Sequence, residues 1–173
     1  MQFDLESVRS QFPALSITDN GVPRIYFDNP AGTQVPKAVA EAMSDCLLKT
    51  NANLGGYFAS SQEAGNVVDS ARLAMADFLN AASPDELVFG HNMTTLTLHI
   101  SRSLGHLFKP GDEIVLSQMD HDANVWPWML LARDYGFVIK WLPFNRETFE
   151  FDLDDLDELL SYRTRLLCCL LYT

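Results

Sequence analysis

KPGDEIVLSQMDHDANVWPWMLLARDYG, residues 109–136, is the stretch that decides how this chain of 173 residues folds. Lys109, Pro110, Gly111 and Asp112 have turn chemistry, and residues 113–117 follow as a short strand with Ile114, Val115 and Leu116 buried. From Asn124, its cap, a helix runs through Trp126, Met129, Leu130 and Ala132 to a stop at Gly136. His121 therefore lies just past a strand's carboxyl end, the edge at which open parallel sheets bind ligands. A histidine there either serves the connecting loop or faces a ligand, and residue type leaves both readings open.

The same alternation extends to both sides. Upstream, residues 86–89 read as a strand, GHNMTT as a turn and LTLHISRSLGHLF as an apolar helix. Downstream, residues 137–144 read as strand, 153–160 as helix and 165–171 as strand. Strands alternating with helices imply an α/β fold with three layers, a mostly parallel sheet flanked by helices. Residues 1–24 form an N-terminal arm with a short helix near 5–12 and a turn at Asp19, Asn20 and Gly21; residues 25–173 form the domain. Within that domain, residues 25–27 suggest a brief strand, DNPAG a turn, and Pro36 the start of a helix through Val39, Met43 and Leu47. SSQEAGNVVDSARLAMADFLNA is amphipathic, with Val67, Val68, Ala71, Met75, Phe78 and Leu79 on one face, Ser61 as cap and Asn80 as stop.

Charge and composition narrow the function. The net charge is −11, and the 12 basic residues form no stripe, so nucleic acid is not an expected partner. Mean hydropathy is −0.02 and no long uncharged apolar run occurs, which argues against a membrane span. The opening MQFDLESVRSQF has acids and no apolar core of a signal peptide, so a cytoplasmic protein is expected. EFDLDDLDELL places Leu153, Leu156, Leu159 and Leu160 at helical spacing with acids opposite, a solvated amphipathic helix rather than a metal site. Cys46, Cys168 and Cys169 read as reduced core residues, and no spacing suggests zinc.

FGHNMTTLTLHIS has the make-up of an anion site. A helix start leaves backbone N–H groups unpaired at the positive end of its dipole, and Thr94 or Thr95 can add a hydroxyl donor. Either threonine could instead simply cap the helix, and the residues leave that open. Neither a Walker lysine nor a GxGxxG run is present to support a nucleotide, and His91 and His99 read as surface or core residues.

Taken in order, IYFDNPAGTQVPKAV, the amphipathic helix, SPDELVFGHNMTTLTLHIS and SQMDHDANVWPWMLLARDYGFVIKWLP resemble pyridoxal-phosphate enzymes of the class V aminotransferase type, fold type I. The likeness is closest to the cysteine desulfurases and their desulfurase-like relatives, and covers roughly residues 27–167. It implies that His121 stacks on the cofactor's pyridine ring and handles protons, and that Met93 and Thr94 bind its phosphate. Asn124 falls on an asparagine position after the stacking histidine, and Asp28, Asn29, Ala31 and Gly32 match a turn near the active-site mouth. Asn92 and Met93 depart from the family's glycine and two threonines.

The resemblance also implies a lysine that attaches the cofactor and an aspartate that pairs with its ring nitrogen, both downstream of the histidine. Lys37, Lys49, Lys109 and Lys140 do not match that lysine, and no aspartate here matches the other. The expectation is the N-terminal part of a truncated, split or frameshifted enzyme acting on an amino acid, inactive as this chain and holding pyridoxal phosphate non-covalently at best. It would pair as a homodimer or with the missing C-terminal half. The alternative is a non-catalytic interaction module that keeps half the enzyme fold; a flavodoxin-like phosphate binder fits the alternation but not the helical N-terminal region.

Overall fold

In the computed structural model the described residues are 3–170, and they divide into two compact units, one up to Leu87 and one from Val88. The first unit is mostly helical. It begins with α1 (Leu5–Ser10), capped by the Asp4 carboxylate, which accepts the Ser7 N–H at 3.0 Å. A 3-10 turn at Pro13–Ser16 leads into a small hairpin of β1 (Thr18–Asp19) and β2 (Val22–Pro23). Asn20 and Gly21 make its corner at φ 52° and 81°, the left-handed pair that a two-residue hairpin turn requires. Next come a single helical turn, α2 (Asn29–Gly32), then α3 (Lys37–Lys49) and the long α4 (Ala59–Leu79).

Two expectations for this unit need correction. Residues 25–27 form no strand and run as irregular chain, since no neighbouring strand accepts them. Ser61 does not cap α4, which already starts at Ala59; the Ser61 hydroxyl is buried and donates to the Asn53 carbonyl at 2.5 Å while accepting the Gly56 N–H at 2.8 Å. It ties the glycine loop to the first turn of the helix. Asn80 does stop α4, in the left-handed conformation at φ 54°.

The second unit is the α/β body. It comprises α5 (Met93–Gly105), β3 (Glu113–Ser117), α6 (Trp126–Tyr135), β4 (Val138–Leu142), α7 (Leu153–Leu159) and β5 (Thr164–Cys168). The three strands form a parallel sheet in the order β4-β3-β5, with helices flanking it. β3 is central and almost wholly buried, as a continuous apolar run in a parallel sheet should be. Ile114 lies opposite Ile139 on one side and Leu166 on the other; Leu116 lies opposite Trp141 and Cys168. Connections leaving β3 and β4 run in opposite directions across the sheet, so right-handed crossovers put α6 and α7 on opposite faces.

The core of this unit gathers Ile114, Leu116, Val125, Trp128, Leu131, Ala132, Phe137 and Cys168. Phe137 stacks on Tyr135 at 5.7 Å between ring centres and meets Phe108 edge-on at 5.8 Å. α5 packs against α6, and Gly105 is the point of closest approach: a Cβ there would stand 2.7 Å from Leu131 Cδ1. The strand expected at residues 86–89 is absent; Pro84–Glu86 is a 3-10 turn and the chain stays irregular up to α5. Proline at the turn's first position and the capping Ser83, whose hydroxyl accepts the Asp85 N–H at 3.1 Å, favour that turn over a ladder. β4 and β5 are shorter than expected, and Leu171 lies outside the described residues.

The acidic run does form a helix, α7, capped by Asp152 through the Asp154 N–H at 2.9 Å. Leu156 and Leu159 are half-buried and Leu160 is exposed; the side chain of Leu153 lies outside the described ones. Cys168 is buried, whereas Cys46 and Cys169 are only half-buried, and among the described residues none of the three is in a disulfide.

Candidate functional site

The site candidates sit at the carboxyl rim of the sheet. β3 ends at Ser117, and the chain turns through Asp120 and His121 into a 3-10 turn at Asp122–Asn124 before α6 begins. His121 is exposed and caps this turn: its Nδ1 accepts the Ala123 N–H at 3.0 Å. An acceptor nitrogen carries no hydrogen, so the neutral imidazole keeps its proton on Nε2, the atom left for a ligand.

Asn124 was expected to cap α6 and does not. Val125 holds the cap position without a side-chain bond, and Pro127 takes the early place where a missing N–H costs nothing. The Asn124 amide instead donates to Asp120 Oδ2 at 2.6 Å, and its oxygen accepts the Trp128 indole N–H at 3.4 Å. Its work is to brace the His121 turn against the core.

The phosphate candidates lie at the start of α5. Met93 and Thr94 are the first two residues of the helix, and both are exposed. Asn92 is the cap, its Oδ1 accepting the Thr95 N–H at 2.9 Å, so neither Thr94 nor Thr95 has that role. Helix geometry offers Met93 and Thr94 N–H no acceptor within the helix, which leaves two amides and the Thr94 hydroxyl for an outside anion. Gly90 lets the loop fold closely over the first turn: a Cβ there would meet Leu96 Cδ2 at 2.4 Å, and the Leu96 side chain would have to shift. The 3-10 turn bearing Asp122–Asn124 packs on α5, which brings the two candidate regions to one side of this unit.

The lysines of this unit point elsewhere. Lys140 Nζ pairs with Glu113 at 2.9 Å and donates to the Leu159 carbonyl at 2.8 Å, near the amino end of β3; Lys109 lies in the turn that precedes that strand. In the first unit, Lys37 and Lys49 pair with Glu41 and Asp45 one helical turn away. The residues present thus fit a phosphate at the start of α5 and a flat ring beside the exposed His121 imidazole. Among the described residues no group of three or more His, Cys, Asp or Glu is arranged to hold a metal ion.

Asp120 is the polar residue that the sequence reading passed over. It accepts hydrogen bonds from Ser117, Asn124 and the backbone beyond β5. The Asp-x-x-x-Asn spacing around His121 was the available signal, since one turn of chain can bring an acid and an amide together. Beside it, burial pushes the Cys168 thiol up to about 12, with the Asp120 charge adding to the effect.

The family model for aminotransferase class-V matches residues 25–171. A cysteine desulfurase of Yersinia pseudotuberculosis is 36% identical over 169 residues, a match covering 96% of this chain and 41% of the relative. The apo cysteine desulfurase of Thermococcus onnurineus superposes with a TM-score of 0.83 at 32% identity, covering 96% of this chain and 40% of that one. The S-sulfonic acid form of the Escherichia coli cysteine desulfurase CsdA gives 0.78 at 31%, covering 96% and 41%. The chain therefore spans about 41% of the length of the curated relative it matches.

Proposed function

The chain belongs to the aminotransferase class-V family, and from that premise we propose that it is the N-terminal part of a pyridoxal-phosphate enzyme of the cysteine desulfurase type. The observation that carries this reading is the packing of the turn with the exposed His121 on the helix whose first residues are Met93 and Thr94. The whole enzyme would act on an amino acid, where the bound cofactor supplies an electron sink for breaking bonds at the substrate's α-carbon.

The roles of this chain's own residues follow from their atoms. Met93 and Thr94 N–H and the Thr94 hydroxyl would hold the phosphate at the positive end of α5. His121 would lie flat on the ring, its Nδ1 tied to Ala123, so that a proton is held or delivered at Nε2 only. Asn124 would act indirectly, by fixing the turn. The four lysines are placed as described above, so the isolated chain would bind the cofactor reversibly and would not turn over. Residues up to 24 would be an arm, and residues 25–173 an incomplete large domain. Among the described residues no helix is long and apolar enough to cross a membrane, and a cytoplasmic setting fits that.

A visible-spectrum titration of the purified chain with pyridoxal phosphate tests this. The expected result is a saturable spectral change that dialysis removes and borohydride does not lock in place. A band that survives dialysis and is fixed by borohydride at one lysine would overturn the non-covalent reading, and no saturable change at all would overturn cofactor binding.

A second reading has its own support. α3 has no buried residue although Val39, Met43 and Leu47 share one face, and β4 and β5 are each paired on one side only among the described residues. Surfaces of that kind suit pairing with a C-terminal half, with a second copy, or with a different partner as a non-catalytic module.

A further inference from the structure

The carboxylate of Asp120 lies at the junction of three chain segments. Its Oδ1 accepts the buried Ser117 hydroxyl at 3.0 Å, from the last residue of β3. Its Oδ2 accepts the Asn124 amide at 2.6 Å, from the 3-10 turn. The Leu170 N–H, from the chain leaving β5, reaches Oδ1 at 2.9 Å and Oδ2 at 3.0 Å. A carboxylate alone among side chains offers this many acceptor sites with no competing donor.

Apart from its packing on α5 and α6 and the Asn124–Trp128 bond, the turn carrying His121 makes its hydrogen bonds within itself. Asn124 N–H donates to the His121 carbonyl at 2.8 Å, and Ala123 N–H to the His121 ring at 3.0 Å. Neither bond ties the turn to the sheet. The mooring comes from the residue before His121, and it is braced from behind: Ser117 Oγ also accepts the Met119 N–H at 3.1 Å, and Asn124 is held by the core Trp128.

We propose that Asp120 is the positioning residue for His121, mooring its turn to the end of β3 and to the chain beyond β5 so that the imidazole presents Nε2 outward in one tautomer. The inference rests on the cofactor reading only for the purpose of that imidazole; the mooring itself belongs to the unliganded chain. Asp120→Asn would replace an acceptor by an NH2 group facing either the Asn124 amide or the Leu170 N–H. It tests the carboxylate while nearly conserving volume.

The experiment uses the full chain, isotope-labelled and without cofactor. Ring 15N correlations read the His121 tautomer, and hydrogen exchange reads the Leu170 amide, with the β3 amides of Ile114, Val115 and Leu116 as the check on folding. In the unaltered chain the expected result is a single Nε2–H tautomer and a protected Leu170. In D120N, Leu170 should exchange about tenfold faster or more, the scale of one lost charge-assisted hydrogen bond, and the ring should average between tautomers while β3 stays protected. S117A should move both signals the same way by less, and D120E should restore part of the Leu170 protection.

A D120N chain with Leu170 still protected and His121 still in one tautomer would overturn the proposal. If D120N does not fold, the unaltered chain and S117A decide, and an unprotected Leu170 in the former or unchanged signals in the latter overturn it. Adding pyridoxal phosphate to the same samples keeps the two ideas apart, because loss of cofactor binding leaves the exchange and tautomer results standing.

Discussion

The His121 ring is held directly by a backbone amide, the Ala123 N–H, while the turn that carries it is tied down through Asp120. Because the ring is exposed and its Nδ1 accepts only a local bond from the Ala123 N–H among the described residues, its removal should leave the fold intact and weaken cofactor binding. Ring stacking contributes about 0.5–1.5 kcal/mol, so His121→Ala should raise the dissociation constant for pyridoxal phosphate by up to about tenfold with an unchanged melting temperature. Fluorescence titration beside a thermal scan checks both halves. Cys168 gives a second prediction. Its folded thiol is pushed up to about 12 from an ordinary 9.0, chiefly by burial, so at alkaline pH the unfolded chain sheds a proton that the folded chain keeps. That stability is whole below 9.0 and declines as pH rises toward about 12; urea unfolding at stepped pH should show the decline, with a shallower slope in Cys168→Ser. The acid side runs in the opposite sense. The Lys109 N–H and Arg165 hold Asp112 below the usual carboxylate range, so its contribution is present near neutrality and is lost as pH falls.

At the scale of elements, the weight falls on the contact between α5 and α6. Gly105 lets the two helices close, and a Cβ at 2.7 Å from Leu131 Cδ1 and 3.5 Å from Tyr135 would have to push one of them aside. Overpacking of that kind costs about 1–3 kcal/mol, so Gly105→Ala should lower the urea midpoint, despite alanine's better helix propensity. An unchanged or raised midpoint would mean that Leu131 yields without cost. Much of this layer could be read from the sequence. The run Ile114, Val115, Leu116 announced a buried parallel strand, and the turn residues around it set its limits. Capping was less legible. Asn92, Val125 and Phe58 took cap positions assigned in advance to Thr94 or Thr95, Asn124 and Ser61, because a cap depends on where the first turn starts, which shifts by a residue or two with tertiary packing. The strands expected at residues 25–27 and 86–89 failed for a related reason: a few apolar residues become a strand only where a neighbour accepts their hydrogen bonds. At the site, the position of His121 followed from strand, turn and helix in succession, and that of Thr94 from turn and helix alone, since the strand expected before it is absent. The part played by Asp120 did not, since its partner Leu170 is 50 residues away in sequence.

At the scale of the molecule, apolar surface is left uncovered. On α3, Met43, Leu47 and Leu48 are 63%, 66% and 79% exposed, and among the described residues the outer edges of β4 and β5 add unpaired backbone groups. A chain with these surfaces should associate. Sedimentation velocity across a concentration series is expected to show species heavier than one chain, and Met43→Glu with Leu47→Glu should shift the distribution toward the single chain. A monodisperse single chain at every concentration would favour the self-sufficient module.

The bond from Leu170 to Asp120 has a practical corollary. Polypeptide departing from β5 is delivered to the doorstep of the imidazole, so a fluorophore carried at position 170 would report on whatever small molecule arrives there. By the same token, substitutions or fusions near that position are a poor choice for anyone wishing to leave the rim undisturbed.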